Sequence, residues 1–139
     1  MKNIPLLLVV WIWVAAVGCQ TTVNTVEPAQ PSAQAQELVI KKTQTDPSLS
    51  QRIKVLRVIT TTSPGGYLNV QVDLRNASQS LVRYTYKVEW FDEKGLLIQT
   101  PAAGAIPRQI EGGEIQSIVL TAPTPLAKDF RIKFQEPTN

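Results

Sequence analysis

The stretch Val82-Arg83-Tyr84-Thr85-Tyr86-Lys87-Val88-Glu89-Trp90-Phe91 decides how the chain folds. Val82, Tyr84, Tyr86, Val88 and Trp90 fall on one face of an extended backbone, and Arg83, Thr85, Lys87 and Glu89 on the other. Side chains repeat every two residues in a strand and every 3.6 in a helix, so only a strand sorts these residues into an apolar and a polar face. Asp92-Glu93-Lys94-Gly95 follows. An Asp there accepts backbone hydrogen bonds at the start of a turn, and a Gly takes the left-handed conformation that closes it. Leu96-Leu97-Ile98 then returns as the second arm of a hairpin, which makes Trp90, Asp92 and Gly95 the fold-defining residues.

The same period extends outward in both directions. Ile53 to Thr62 reads as a strand ended by Ser63-Pro64-Gly65-Gly66. Leu68, Val70, Val72 and Leu74 give the next strand an apolar face, with Asn69, Gln71 and Asp73 turned to water and a turn at Asn76-Ala77-Ser78-Gln79. Ile106 to Ile110, Glu114 to Thr121 after Glu111-Gly112-Gly113, and Phe130 to Phe134 complete about seven strands. No segment carries a helical stripe. Short strands with turns at close spacing predict an all-β, immunoglobulin-like two-sheet sandwich over residues 52–136. So small a domain leans on its large side chains, here Tyr84, Tyr86, Trp90, Phe91, Phe130 and Phe134.

Two other zones precede that domain. Residues 4–17 are continuously apolar behind a single Lys2. As a helix this run spans about 21 Å, short of the roughly 30 Å hydrocarbon core, so it reads as a secretory signal over residues 1–18. Residues 19–51 are rich in Pro, Ala, Gln and Ser, as in Glu27-Pro28-Ala29-Gln30-Pro31-Ser32. They bury too little surface to offset ordering and read as a tether, interrupted by Leu38-Val39-Ile40 as a docked edge strand.

The junction of these zones carries the one assignable chemistry. Ala16-Val17-Gly18-Cys19 resembles the lipobox of bacterial lipoproteins, with Ala16 where Leu is commonest. The resemblance implies cleavage between Gly18 and Cys19, a diacylglyceryl group on the thiol and an acylated amine. Cys19 is the only cysteine, so an internal disulfide is impossible, and acylation would consume an otherwise odd thiol. Gln20, where inner-membrane lipoproteins tend to carry Asp, implies delivery to the outer membrane, facing the periplasm.

Tyr86 to Gly95, the Asn76 turn, Ala122-Pro123-Thr124-Pro125 and Phe130-Arg131-Ile132 together resemble the YcfL family of Gram-negative envelope lipoproteins, a domain of unknown function. The likeness covers about residues 67–134. It implies an immunoglobulin-like sandwich and a periplasmic setting, and supplies no catalytic residues.

Composition narrows the function classes further. The chain of 139 residues holds no His, which excludes His-based triads, His general bases and His-ligated zinc. No Gly-rich phosphate loop opens a helix, and Asp73, Glu89, Asp92, Glu93, Glu111 and Glu114 occupy strand or turn positions read as solvated. No cofactor, metal, catalytic residue or enzyme activity is expected. Removing residues 1–18 takes away Lys2 alone and leaves 13 basic against 11 acidic side chains, too even a balance for a nucleic-acid binder. Lys41, Lys42, Arg52, Lys54 and Arg57 give the front of the domain a mild basic bias, read as a solvated strand face.

Two readings remain. The first is a non-catalytic interaction module that offers a sheet edge or an aromatic face to an envelope protein. The second is a binding domain for a glycan or small envelope ligand. Candidate contact residues are Tyr67, Tyr84, Phe91, Arg83 and Arg108. Replacing Cys19 by Ala is expected to leave an unprocessed precursor that takes up no palmitate label. Palmitate labelling of that variant would refute the lipobox reading.

Overall fold

The computed structural model describes residues 33–101 and 103–138. The signal segment and the Gly18, Cys19 and Gln20 assignments lie outside the described residues. Ten elements run in order: α1 (Ala33–Lys42), β1 (Thr43–Thr45), α2 (Pro47–Ser50), β2 (Ile53–Thr62), β3 (Leu68–Asn76), β4 (Val82–Phe91), β5 (Leu97–Ile98), β6 (Ile106–Ile110), β7 (Ile115–Thr121) and β8 (Asp129–Gln135).

The strands form two sheets. One has the order β1-β8-β4, with β5 and β6 sharing the far edge of β4. β5 pairs at Trp90 and Phe91, and β6 from Val82 to Tyr86. The other sheet is β2-β3-β7. With β2, β3, β4, β7 and β8 taken as strands A, B, C, E and F, these orders are A-B-E and F-C, as in immunoglobulin sandwiches. The place beside F, where strand G would lie, is taken from the other end of the chain: β1 pairs with β8 in parallel, Thr43 opposite Ile132.

The core forms where the inward faces meet. Val82, Tyr84, Tyr86 and Trp90 from β4 and Phe130, Ile132 and Phe134 from β8 pack against Val70, Val72 and Leu74 of β3 and Val58 of β2, all buried. Tyr84 lies against Phe134 and Trp90 against Phe130, each pair with ring centroids 6.2 Å apart. Val88, the fifth inward position expected on β4, is partly buried and packs against this core. The hairpin is also formed as expected: Asp92 Oδ1 accepts the N–H groups of Lys94 and Leu96 at 2.9 and 2.8 Å, and Gly95 has φ +79°.

Three expectations need correction. Among the described residues, folded structure is already present from Ala33, ahead of residue 52. Leu38 and Val39 do dock on the core, but from a helix, with Ile40 82% exposed. The run Ala-Gln-Ala-Gln-Glu-Leu-Val-Ile-Lys-Lys is rich in strong helix formers, Glu37 pairs with Lys41 one turn on at 2.5 Å, and two lysines face the negative end of the helix dipole. α1 packs against β2 and reaches β1 and β8, so it closes one side of the sandwich. In α2, Pro47 sits in the first turn and Leu49 is fully buried.

The second correction concerns Asp73, which does not face water and is only 4% exposed. It stands on the outer face of the β2-β3-β7 sheet, where Arg57 and Ser117 flank it on the neighbouring strands. A register shift between Val55 and Arg57 leaves Leu56 as the extra residue of a β-bulge, which turns Arg57 outward opposite Asp73 and returns Val58 to the core.

The third correction concerns the basic front of the domain, which is not free. Lys41 pairs with Glu37, Lys42 with Asp129, Arg52 with Glu136 and Arg57 with Asp73, while Lys54 donates to Ser50 O. Trp90→Ala is expected to cost roughly 3 to 5 kcal/mol in equilibrium unfolding, because it removes a buried indole that packs against Phe130 near the end of β4. A loss below about 1 kcal/mol would mean that Trp90 is not core.

Candidate functional site

The two sides of the sandwich are built differently. α1 lies over the side bounded by β1 and β2, whereas among the described residues no helix covers the side between β6 and β7. Two cavities open there. One, of about 560 Å³, is lined by Arg83, Tyr84, Pro107, Arg108, Gln109, Gln116 and Pro137. The other, of about 190 Å³, is lined mainly by Val88, Trp90, Ile106, Leu120 and Pro123. Gln116 and Leu120 are both on β7, so the cavities lie at two positions along one strand.

Polar groups in the larger cavity are fixed by a short hydrogen-bond chain. Tyr84 Oη donates to Gln116 Oε1 at 2.7 Å, and Gln116 Nε2 donates to the carbonyl oxygen of Gln109 at 3.3 Å. Burial pushes the Tyr84 hydroxyl up to about 12, beyond the reach of the nearby Arg108 charge to lower it, so it stays a neutral donor at physiological pH. Arg108 stands opposite Tyr84 in the β4–β6 ladder, its guanidinium carbon 6.0 Å from the Tyr86 ring centroid. Neither Arg83 nor Arg108 makes an ion pair among the described residues.

The five candidate contact residues therefore divide. Arg83, Tyr84 and Arg108 line one cavity, although Tyr84 is fully buried and offers only its hydroxyl, not an exposed ring. Phe91 is at the far end of β4, about 26 Å away at strand rise, half-buried with the Arg131 guanidinium 5.5 Å from its ring centroid. Tyr67 lies in the β2–β3 turn, its ring against Gly65. No single aromatic face joins Tyr67, Tyr84 and Phe91. Sequence reading missed Gln116 and the β7 edge, because a glutamine and a neutral strand carry no chemical signature until their neighbours are known.

Outside this side of the molecule, a buried polar cluster surrounds Asp73. Ser117 Oγ and Gln71 Nε2 donate to its Oδ1 at 2.7 and 2.9 Å, and Arg57 Nε donates to Oδ2. Burial alone would raise the carboxyl, but these hydrogen bonds and the Arg57 charge outweigh it and hold the group below the usual aspartate range. Lys133 does the same for Glu89 by a hydrogen bond of 2.8 Å, with Arg131 close by. Among the described residues no group of three or more His, Cys, Asp or Glu side chains could hold a metal ion, and no helix is long and apolar enough to cross a membrane.

Fold and site together define a small immunoglobulin-like β-sandwich with one side closed by a helix and the other left open. The chain belongs to the DUF1425 family, described as a protein of unknown function, whose model matches residues 36–136. That match includes most of α1 and all of α2. The fold is similar to that of Campylobacter jejuni cj0090, with a TM-score of 0.62 and 23% identity over 69% of this chain and 98% of that one. It is also similar to a DUF1425 family member from Shewanella sp. pv-4, with a TM-score of 0.56 and 18% identity over 63% of this chain and 80% of that one. No curated protein matches the sequence.

A carboxyl group lowered in the folded state stabilises the fold above its unfolded value, near pH 4, and that contribution is lost as pH falls through the folded value. Asp73→Asn is thus expected to cost about 2 to 3 kcal/mol at pH 7, since it leaves Arg57 without its partner, and to show a smaller loss of thermal midpoint from pH 5 to pH 2 than the unmodified protein. Equal acid-side losses in the two proteins would remove Asp73 as the source.

Proposed function

We propose that this protein is a membrane-anchored, non-catalytic interaction module of the Gram-negative envelope, of the YcfL type, held to the outer membrane by lipid on Cys19 and facing the periplasm. The observation that carries the interaction reading is the open side between β6 and β7. A domain whose role ended at folding would gain by covering that side as it covers the other. Instead, among the described residues, a strand edge, two cavities and two arginines without ion pairs are left together. Support for the anchor comes from the lipobox at residues 16–19 and from Gln20.

A second reading, a binding domain for a glycan or small envelope ligand, is favoured by one feature. The larger cavity has a volume in the range of small-molecule sites and combines arginine, amide and hydroxyl groups. Its open, shallow form and the distance of Tyr67 and Phe91 from it count for the protein partner.

Site-specific photocrosslinking in cells separates the readings. With the crosslinker at Gln109 or Val119, a discrete protein adduct is expected that is absent when it is placed at Ile59 on β2. Adducts only to glycan would favour the second reading, and uniform labelling from every position would refute a defined interaction surface.

A further inference from the structure

A β-sandwich has exposed strand edges, and each is a row of unpaired backbone groups that another chain can join unless something blocks it. Four edges occur here. β1 is only three residues long. β2 carries the Leu56 bulge and has α1 packed against it. β5 is two residues long, and β6, which continues the same edge, contains Pro107, which has no N–H, while Gln109 O already accepts the Gln116 side chain. β7 has none of these devices: its seven residues, Ile-Gln-Ser-Ile-Val-Leu-Thr, include no charge and no proline.

The register shows which groups β7 presents. Ala122 N donates to Leu68 O at 2.8 Å and Asn76 N to Glu114 O at 3.0 Å, one at each end of the β3–β7 ladder. Hydrogen-bonded pairs alternate along an antiparallel ladder, so Gln116, Ile118 and Leu120 bond to β3. The N–H and C=O groups of Ile115, Ser117, Val119 and Thr121 point away from it. Ile115 and Val119 are 54% and 69% exposed.

We propose that β7 accepts an extended partner segment as an added strand, and that this segment carries a carboxylate and, four residues along, a large apolar side chain. The proposal rests on the interaction reading above and names the partner's chemistry. A strand beside β7 would turn alternate side chains toward the gap between the sheets, where the two cavities lie. At Gln116 that gap is bordered by Arg108, which is not ion-paired among the described residues; at Leu120 it is walled by Val88, Trp90, Ile106 and Pro123. Glu114, the nearest acidic side chain on that stretch, is occupied in accepting the Glu111 N–H at 3.0 Å. Gln116 and Leu120 are four residues, or about 13 Å, apart on one face, which sets the spacing required of the partner.

The test uses the full chain in detergent micelles and peptides of about nine alternating threonine and valine residues, long enough to span β7. One peptide carries a glutamate with a leucine four residues on, one has them three residues apart and hence on opposite faces, and one replaces the glutamate by lysine. Binding of the first only is expected, with amide shifts at Ile115, Ser117, Val119 and Thr121. Val119→Pro removes an outward N–H without touching a ladder bond, and should weaken binding at least about tenfold with an unchanged thermal midpoint. Arg108→Glu should transfer the preference to the lysine peptide, which decides the matter even if Val119→Pro unfolds.

Equal binding of the four- and three-spaced peptides, or no binding of any, overturns the proposal. Concentration-dependent dimerisation abolished by Val119→Pro, without peptide competition, overturns it in favour of a second copy of the chain. Failure here together with crosslinks retained at Gln109 but lost at Val119 overturns strand addition and leaves the interaction reading, moved to β6 of the other sheet.

Discussion

The inward face of β4 is the constraint on which the rest of the domain depends. Tyr84, Tyr86 and Trp90 stand at alternate or near-alternate positions of one strand, and Phe134 and Phe130 of β8 meet the first and last of them. Tilted ring pairs of this kind add about 0.5 to 1.5 kcal/mol each beyond the area they bury. Their bulk also sets the space between the sheets, which the smaller Val70, Val72 and Leu74 of β3 then fill from the opposite side. A core this long and narrow, held apart by rings along one line, leaves two long flanks, and those flanks are where the remaining structure has to act.

One flank is closed by residues that composition alone reads as linker. Strands were legible because their period survives in sequence: β2, β3, β4, β6, β7 and β8 fall within two residues of the runs marked by alternation and turn chemistry. α1 was not, because it contributes only Leu38 and Val39 to the core and sits in a stretch rich in Pro, Ala and Gln. A single pair of apolar residues has no period. Asp73 escaped for a related reason. Alternation correctly places it on the outer face, but whether that face is wet depends on Arg57 and Ser117, brought beside it by a bulge and by a strand more than forty positions later. Pairwise burial of this kind is a property of register.

The candidate site shows the same division. Arg83, Tyr84 and Arg108 could be named from residue type, and strand pairing brings them to one cavity, yet the same pairing turns the Tyr84 ring into the core and leaves Phe91 and Tyr67 elsewhere. The contrast between β6 and β7 emerges only from backbone direction. Both are short edge strands of ordinary composition; one is blunted by Pro107 and by the Gln116 side chain, the other presents four consecutive alternate residues whose backbone groups have no partner among the described residues. The charges at the front of the domain, which composition presents as a basic surface, are engaged in internal ion pairs or, for Lys54, a hydrogen bond, whereas among the described residues Arg83 and Arg108 make no ion pair.

Folded structure from Ala33 onward also changes what an anchor at Cys19 would do. A tether reaching residue 51 would let the domain wander up to about 90 Å from the bilayer in extended form. From Cys19 to Ala33 there are 14 residue steps, and covalent geometry limits those to about 50 Å. The chain enters the domain through α1, on the flank opposite the open one. An anchor at Cys19 would therefore join the described domain on the flank that bears α1, opposite the edge of β7 and the cavities beside it.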